Sequence, residues 1–160
     1  MIVIEMENGG IIKLALDREA APLTVANFEK LVTRGFYDGL TFHRVIRGFM
    51  IQGGCPQGNG MGGAEENIKG EFAQNGVKNP LRHTRGVISM ARAWDPNSAS
   101  SQFFIMHEDA PHLDGAYAAF GRVIEGMDTV DAIAATRTDL RDKPLVPQVM
   151  KKVTLVPDEQ

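Results

Sequence analysis

The chain has 160 residues, of which 43% are hydrophobic and 23% charged, the balance of one soluble domain with a sizeable core. Its net charge of -3 supplies no basic field for nucleic acid, and no run approaches the roughly 20 apolar residues of a membrane span. The single cysteine, Cys55, excludes an intrachain disulfide and permits a reducing compartment. The opening MIVIEMENGG has neither a basic start nor a long apolar stretch, so it does not read as a signal peptide. The expectation is a cytoplasmic monomer, with residues 1–160 forming one domain.

In chain order, MIVIEM and IIKLALD predict two strands, and ENGG between them supplies turn chemistry for a hairpin. The segment APLTVANFEKLVTRGFYDG follows. Pro22 suits a first helical turn, Val25, Phe28, Leu31 and Val32 recur at helical spacing, and Gly35 suits a stop. TFHRVI and FMIQGG are short β-like runs, and residues 53–63, GGCPQGNGMGG, form a loop. GVISMAR (86–92) and SQFFIMH (101–107) predict strands around the polar loop AWDPNSAS. AYAAFGRVI (116–124) is another strand, GMDTVDAIAATR (126–137) a second short helix, and QVMKKVTLV a last strand. Many short strands, Gly-rich turns and two isolated helices point to a mainly β barrel or sandwich rather than a doubly wound sheet.

Arg44 is the anomaly in this pattern. It lies between Phe42 and Ile46 in the alternation, and an arginine cannot shed its charge to enter a core. Residues of like parity share one face of a strand, which groups Arg44 with Met50 and Gln52, and Gln102 with Phe104. Phe49 has the other parity and joins them only if the chain bends near Gly48. Such a set makes a groove with an apolar floor and a polar edge, suited to a small apolar group on a polar backbone. The bland alternative is an Arg that lays its stem on the core and its head in water.

Three motifs offer other chemistry and lack its context. GNGMGG (58–63) matches a dinucleotide fingerprint, but AEENIKGEF after it has no helical stripe and position 83 is a histidine. HEDAPH (107–112) spaces its histidines by five with Pro111 between them, so no zinc-protease helix forms. His43 and Cys55 have no third group to orient them as a nucleophile pair. No cofactor and no metal are expected.

The ordered motifs FHRVIRGFMIQGG, GNGMGG, SMARA, SQFFI, HLDG and FGRVIEGMD span nearly the whole chain. With them the sequence resembles the cyclophilin family of peptidyl-prolyl cis-trans isomerases, in a compact, bacterial-like form. The resemblance implies a closed, eight-stranded antiparallel β-barrel capped by two α-helices, with the site outside the barrel. It implies that Arg44 is catalytic and donates to the proline nitrogen as the peptide bond twists. It implies that Phe49, Met50, Phe104 and Leu113 line a proline pocket, and that Gln52 and Gln102 hydrogen-bond the peptide. Ala91 and Arg92 would meet the peptide through backbone and Cβ, with Gly60 on the neighbouring rim. The implied partners are Pro-containing peptides and unfolded protein clients. A second class, a Pro-segment-binding chaperone or adaptor with little catalysis, is disfavoured by the complete residue set.

Departures from the family pattern are local. His112 stands where many eukaryotic members carry Trp, so weak cyclosporin binding is expected. Tyr117 replaces a common His, and Arg92 a frequent Asn. The AWDPNSAS loop is about one residue longer than usual, and Trp94 in it reads as an exposed loop residue.

Overall fold

The computed structural model describes residues 1–157. Strands β1 (Ile2–Met6) and β2 (Ile11–Leu16) form the first hairpin, closed where the Met6 N–H meets the Gly10 carbonyl at 2.8 Å. Helix α1 (Pro22–Thr33) begins on Pro22 and buries Val25, Phe28, Leu31 and Val32. Its end is sealed by the N–H groups of Gly35 and Phe36, which reach back to Val32 and Leu31, and Gly35 takes a positive φ there.

The remaining elements are β3 (Arg44–Ile46), β4 (Met50–Gly53), β5 (Val87–Met90), β6 (Phe103–Met106), β7 (Ala119–Glu125), α2 (Met127–Ala134) and β8 (Met150–Leu155). Every expected strand and helix is present, most with trimmed ends, while β7 runs one residue further than expected, to Glu125. Two 3-10 turns, Ala73–Asn75 and Pro111–Leu113, were not anticipated; each spans too few residues for periodicity to register.

The eight strands make one antiparallel sheet in the order β3-β4-β6-β5-β7-β2-β1-β8. The expectation of a closed barrel is corrected, because the sheet is an open, curled half-barrel with β3 and β8 as its edges. The reason lies at β3, which is three residues long. Its Val45 N–H donates to the Asp142 carbonyl at 2.8 Å, so the loop before β8 covers the edge that closure would need. Residues upstream of β3 span the gap instead. Thr41 makes a lone bridge to Val149, and Phe42 N–H reaches the Gln148 carbonyl at 3.0 Å.

Alternation divides the buried residues between two faces. The inner face (Ile4, Ile12, Leu14, Ile51, Ile88, Ile105, Phe120, Val153) packs with α1 and α2 into the main core. Phe28 of α1 anchors it, with ring centroids 5.1–5.5 Å from Tyr37, Phe103 and Phe120. The outer face carries a second, smaller apolar cluster of Met50, Val87, Phe104, Met106, Ala110, Leu113 and Ala119. A second core on the outside of a curled sheet is where a binding surface can be built without opening the first.

Candidate active site

Register places the polar and apolar members of this outer face in rows. Arg44 of β3 lies opposite Gln52 of β4, which lies opposite Phe104 of β6, which lies opposite Ser89 of β5. One turn of the pleat away, Ile46, Met50 and Met106 form a parallel row. The parity grouping of Arg44, Met50 and Gln52 is therefore realised as cross-strand neighbours.

Phe49 reaches the same face through a tight turn. Its N–H closes on the Ile46 carbonyl at 3.0 Å, and Gly48 sits at φ 81°. A Cβ on Gly48 would meet nothing within 4 Å, so the left-handed backbone rather than space calls for glycine. The bend expected near Gly48 is this turn, and it sets Phe49 against the outer cluster.

Arg44, Phe49, Met50, Gln52, Ala91, Arg92, Phe104, Leu113 and Tyr117 line one cavity of about 140 Å³. Met50, Phe104 and Leu113 are buried and form its floor, while Arg44 is exposed at its edge. A second cavity of about 340 Å³ adjoins it, sharing Gln52, Ala91 and Arg92 and adding Gly60 and Gln102. His112 lies on the rim, its ring stacked on Phe49 at 5.9 Å. The side chain of Trp94 is 94% exposed and lines neither cavity.

A chain of hydrogen bonds orients the polar edge. Arg44 Nη1 donates to Gln52 Oε1 at 3.3 Å, and Gln52 Nε2 donates to Gln102 Oε1 at 2.9 Å. Gln102 Nε2 in turn donates to the carbonyls of Gly60 and Gly62 at 2.9 and 2.8 Å. The GNGMGG segment thus serves as a loop that fixes a glutamine, and no helix opens from it.

The Arg92 side chain is committed to contacts within the protein itself. Its guanidinium lies between the rings of Phe72 and Tyr117, 4.9 and 4.8 Å from their centroids. Nε and Nη2 donate to the Ala116 carbonyl, and Nη1 to those of Ala93 and Trp94. The side chain braces the wall of both cavities.

Below the floor is a group that sequence spacing did not single out. His83 is buried and its ring stacks against Phe104 at 6.0 Å. Burial holds its pKa below the usual histidine value, outweighing the pull of Asp114. The ring is therefore neutral, and its contact with Asp114 is a hydrogen bond rather than an ion pair. Nδ1 donates to Asp114 Oδ1 at 3.0 Å, which leaves Nε2 to accept from the Ser89 hydroxyl at 2.8 Å. Burial alone would raise the Asp114 carboxyl, but the N–H and ring of His83 together hold it below its ordinary value. A pair separated by 31 residues leaves no signal in local spacing.

The rejected chemistries stay apart. No hydrogen bond joins His43 to Cys55 among the described residues, and the His43 ring nitrogens have no protein partner there. Burial, then the charges of Lys143 and Arg44, hold His43 below its ordinary value. Burial works to raise the Cys55 thiol, but the N–H groups of Asn59, Gly62, Gln57 and Gly60 outweigh it and lower its pKa. His107 and His112 diverge, one toward α2 and one toward Phe49. Among the described residues no group of three or more His, Cys, Asp or Glu could hold a metal ion.

Sheet order, two helices and an outer-face groove with an apolar floor define the class: a mainly β cyclophilin fold. Residues 1–155 match the family model for cyclophilin type peptidyl-prolyl cis-trans isomerase/CLD, and the chain belongs to that family. It is 53% identical over 123 residues to peptidyl-prolyl cis-trans isomerase B of Bacillus subtilis, covering 77% of this chain and 82% of that one. It is 42% identical to peptidyl-prolyl cis-trans isomerase ppi1 of Schizosaccharomyces pombe, over 97% of this chain and all of that one. A crystal structure of a cyclophilin type peptidyl-prolyl cis-trans isomerase of Cryptosporidium parvum, in the presence of the dipeptide Ala-Pro, superposes with TM-score 0.89 at 32% identity. That likeness covers 98% of this chain and 99% of the other.

Proposed function

We propose that this isomerase binds a proline ring in the cavity floored by Met50, Phe104 and Leu113, and that Arg44 is its catalytic residue. Membership of the family supplies the reaction, cis-trans exchange about Xaa-Pro bonds. The observation that carries the assignment is the charge of Arg44 at the mouth of a small apolar cavity, tethered through Gln52 to Gln102. That the Cryptosporidium relative's crystal structure is one in the presence of the dipeptide Ala-Pro supports a proline ligand.

The task is kinetic. The barrier to rotation is about 18–20 kcal/mol, while the two X–Pro isomers differ by only about 0.5–1 kcal/mol. In the twisted transition state amide resonance is lost and the proline nitrogen regains its lone pair. A donor aimed at that nitrogen binds the twisted form better than the planar one, which is what accelerates a reaction. Arg44 suits this role because its guanidinium is always charged and carries several donors in a rigid fork. Phe49, Met50, Phe104 and Leu113 hold the ring while the acyl side turns. They also exclude water, which favours the less charge-separated twisted amide. Gln52, Gln102, Gly60 and the Ala91–Arg92 backbone bind the flanking peptide, while Tyr117 walls the pocket and His112 its rim. The substrates are unfolded or flexible protein segments in the cytoplasm, and the working form is a monomer. No helix among the described residues is long and apolar enough to cross a membrane.

The test is cis-trans exchange of an Xaa-Pro peptide, followed by NMR with trace protein. Accelerated exchange is expected. An unchanged rate with peptide binding intact would identify a binding module instead.

A further inference from the structure

His107 contributes nothing to the lining of the proline cavity, yet it touches the turn that delivers Phe49 on two sides. Its ring Nδ1 accepts the Gly48 N–H at 2.9 Å, and its own N–H donates to the Phe49 carbonyl at 2.9 Å. The Glu108 N–H lies 3.4 Å from the same carbonyl. A backbone N–H can only donate, so Nδ1 must carry a lone pair and the proton must sit on Nε2. Nε2 points to Asp131 Oδ1 of α2 at 3.2 Å. The ring is thus a neutral tautomer fixed from both ends, and the contact with Asp131 is a hydrogen bond rather than a full ion pair.

Asp131 is itself held. Arg85 meets its two oxygens at 2.8 and 2.7 Å and donates to the His107 carbonyl at 2.9 Å. The Arg85 side-chain bond outweighs the opposing effect of burial and holds the Asp131 carboxyl below its ordinary value. Glu108 lies 3.9 Å from Arg85, Asp109 takes the Arg85 N–H at 2.8 Å, and Arg47 is carried on the turn itself. These are the charged groups about the ring: Asp131 from α2, Arg85 from the segment before β5, Glu108 and Asp109 from its own segment, and Arg47 from the turn.

We propose that His107 is a positioning residue for the isomerase. Its neutral imidazole locks the Ile46–Phe49 turn and so places Phe49 in the proline pocket, with Asp131 of α2 setting the tautomer. The inference rests on the assignment of that pocket to proline. Loss of the Nδ1 acceptor leaves the Gly48 N–H without its partner, and the released turn lets Phe49 leave its place. Arg44, Phe104 and Leu113 lie outside this turn, so the loss is expected to fall on peptide binding before turnover.

The experiment measures KM and kcat for an Xaa-Pro peptide with His107→Ala, His107→Asn, His107→Gln and Phe49→Ala. Asn can place an acceptor where Nδ1 lies, whereas Gln reaches only the position of Nε2. His107→Ala is expected to raise KM about fivefold with kcat within about twofold, the scale of one hydrogen bond. His107→Asn should return KM toward wild type, and His107→Gln should resemble His107→Ala. Unchanged KM in His107→Ala beside a raised KM in Phe49→Ala would overturn the inference and leave the pocket standing. Unchanged KM in Phe49→Ala would overturn the pocket and the inference together. If His107→Ala does not fold, equal KM values for the Asn and Gln variants would overturn the inference.

Discussion

Arg44 is exposed at the edge of the outer cavity, which removes the cost that makes a buried arginine improbable. One weak commitment leaves it available. Its bond to Gln52 is long at 3.3 Å, and no carboxylate pairs with it among the described residues. His112 works at the rim in a different way. Its exposed ring stacks on Phe49 with planes 29° apart, so it extends the apolar wall by one small ring. An indole there would add apolar area and an N–H donor pointing outward. His112→Trp is therefore expected to tighten cyclosporin binding by about tenfold, roughly 1.4 kcal/mol, with exchange catalysis within about twofold. Isothermal titration of both proteins checks this, and equal affinity would show that the rim does not set the affinity for the drug.

Helix α1 shows how far a local reading goes. Its apolar stripe, its first-turn proline and its stop at Gly35 are all legible, because each depends on residues within one or two turns. Its cap is not. Ala21 offers no side chain to the open N–H groups, and Glu71 supplies the acceptor from 47 residues away. That carboxylate takes the Thr24 N–H at 2.6 Å and the Thr24 hydroxyl at 2.7 Å, and it is 3% exposed. Glu71→Ala leaves a buried donor without its partner and the helix end without its anion. It should cost about 2 kcal/mol, lowering Tm by roughly 4–8 °C in thermal unfolding, with isomerase activity retained below the transition. A change of less than about 1 °C would mean that Glu71 does not cap the helix. β3 fails in the same way for the same reason. TFHRVI alternates like one strand from Thr41, but Thr41 pairs with Val149 and only Arg44–Ile46 pair with β4. Alternation reports a strand's faces and is silent about its partners.

At the scale of the whole molecule, the outer groove exists because one sheet carries two apolar faces, the inner one covered by both helices and the outer one partly open. The mainly β architecture was legible from eight short runs, but closure was not, since it turns on whether β8 or the loop through Asp142 takes the free edge of β3. The site divides similarly. Arg44, Met50 and Gln52 were grouped by parity, and Gln102 with Phe104. Phe49 needed the turn at Gly48. Ala91, Arg92, Leu113, His112, Tyr117 and Gly60 came from family resemblance, because they arrive on separate loops. The His83–Ser89 support under Phe104 and the inward fold of Arg92 came only with the structure, as contacts between distant segments. Under the proposed function these parts unite in a catalyst that acts by binding, with its charge at Arg44. The most direct test is the exchange rate of an Xaa-Pro peptide, measured by NMR with trace amounts of wild type and Arg44→Ala. The expected result is that Arg44→Ala keeps the wild-type fold and binds the peptide while losing at least about 99% of the acceleration, the scale of removing one transition-state donor. Wild-type acceleration by correctly folded Arg44→Ala would contradict the role assigned to Arg44.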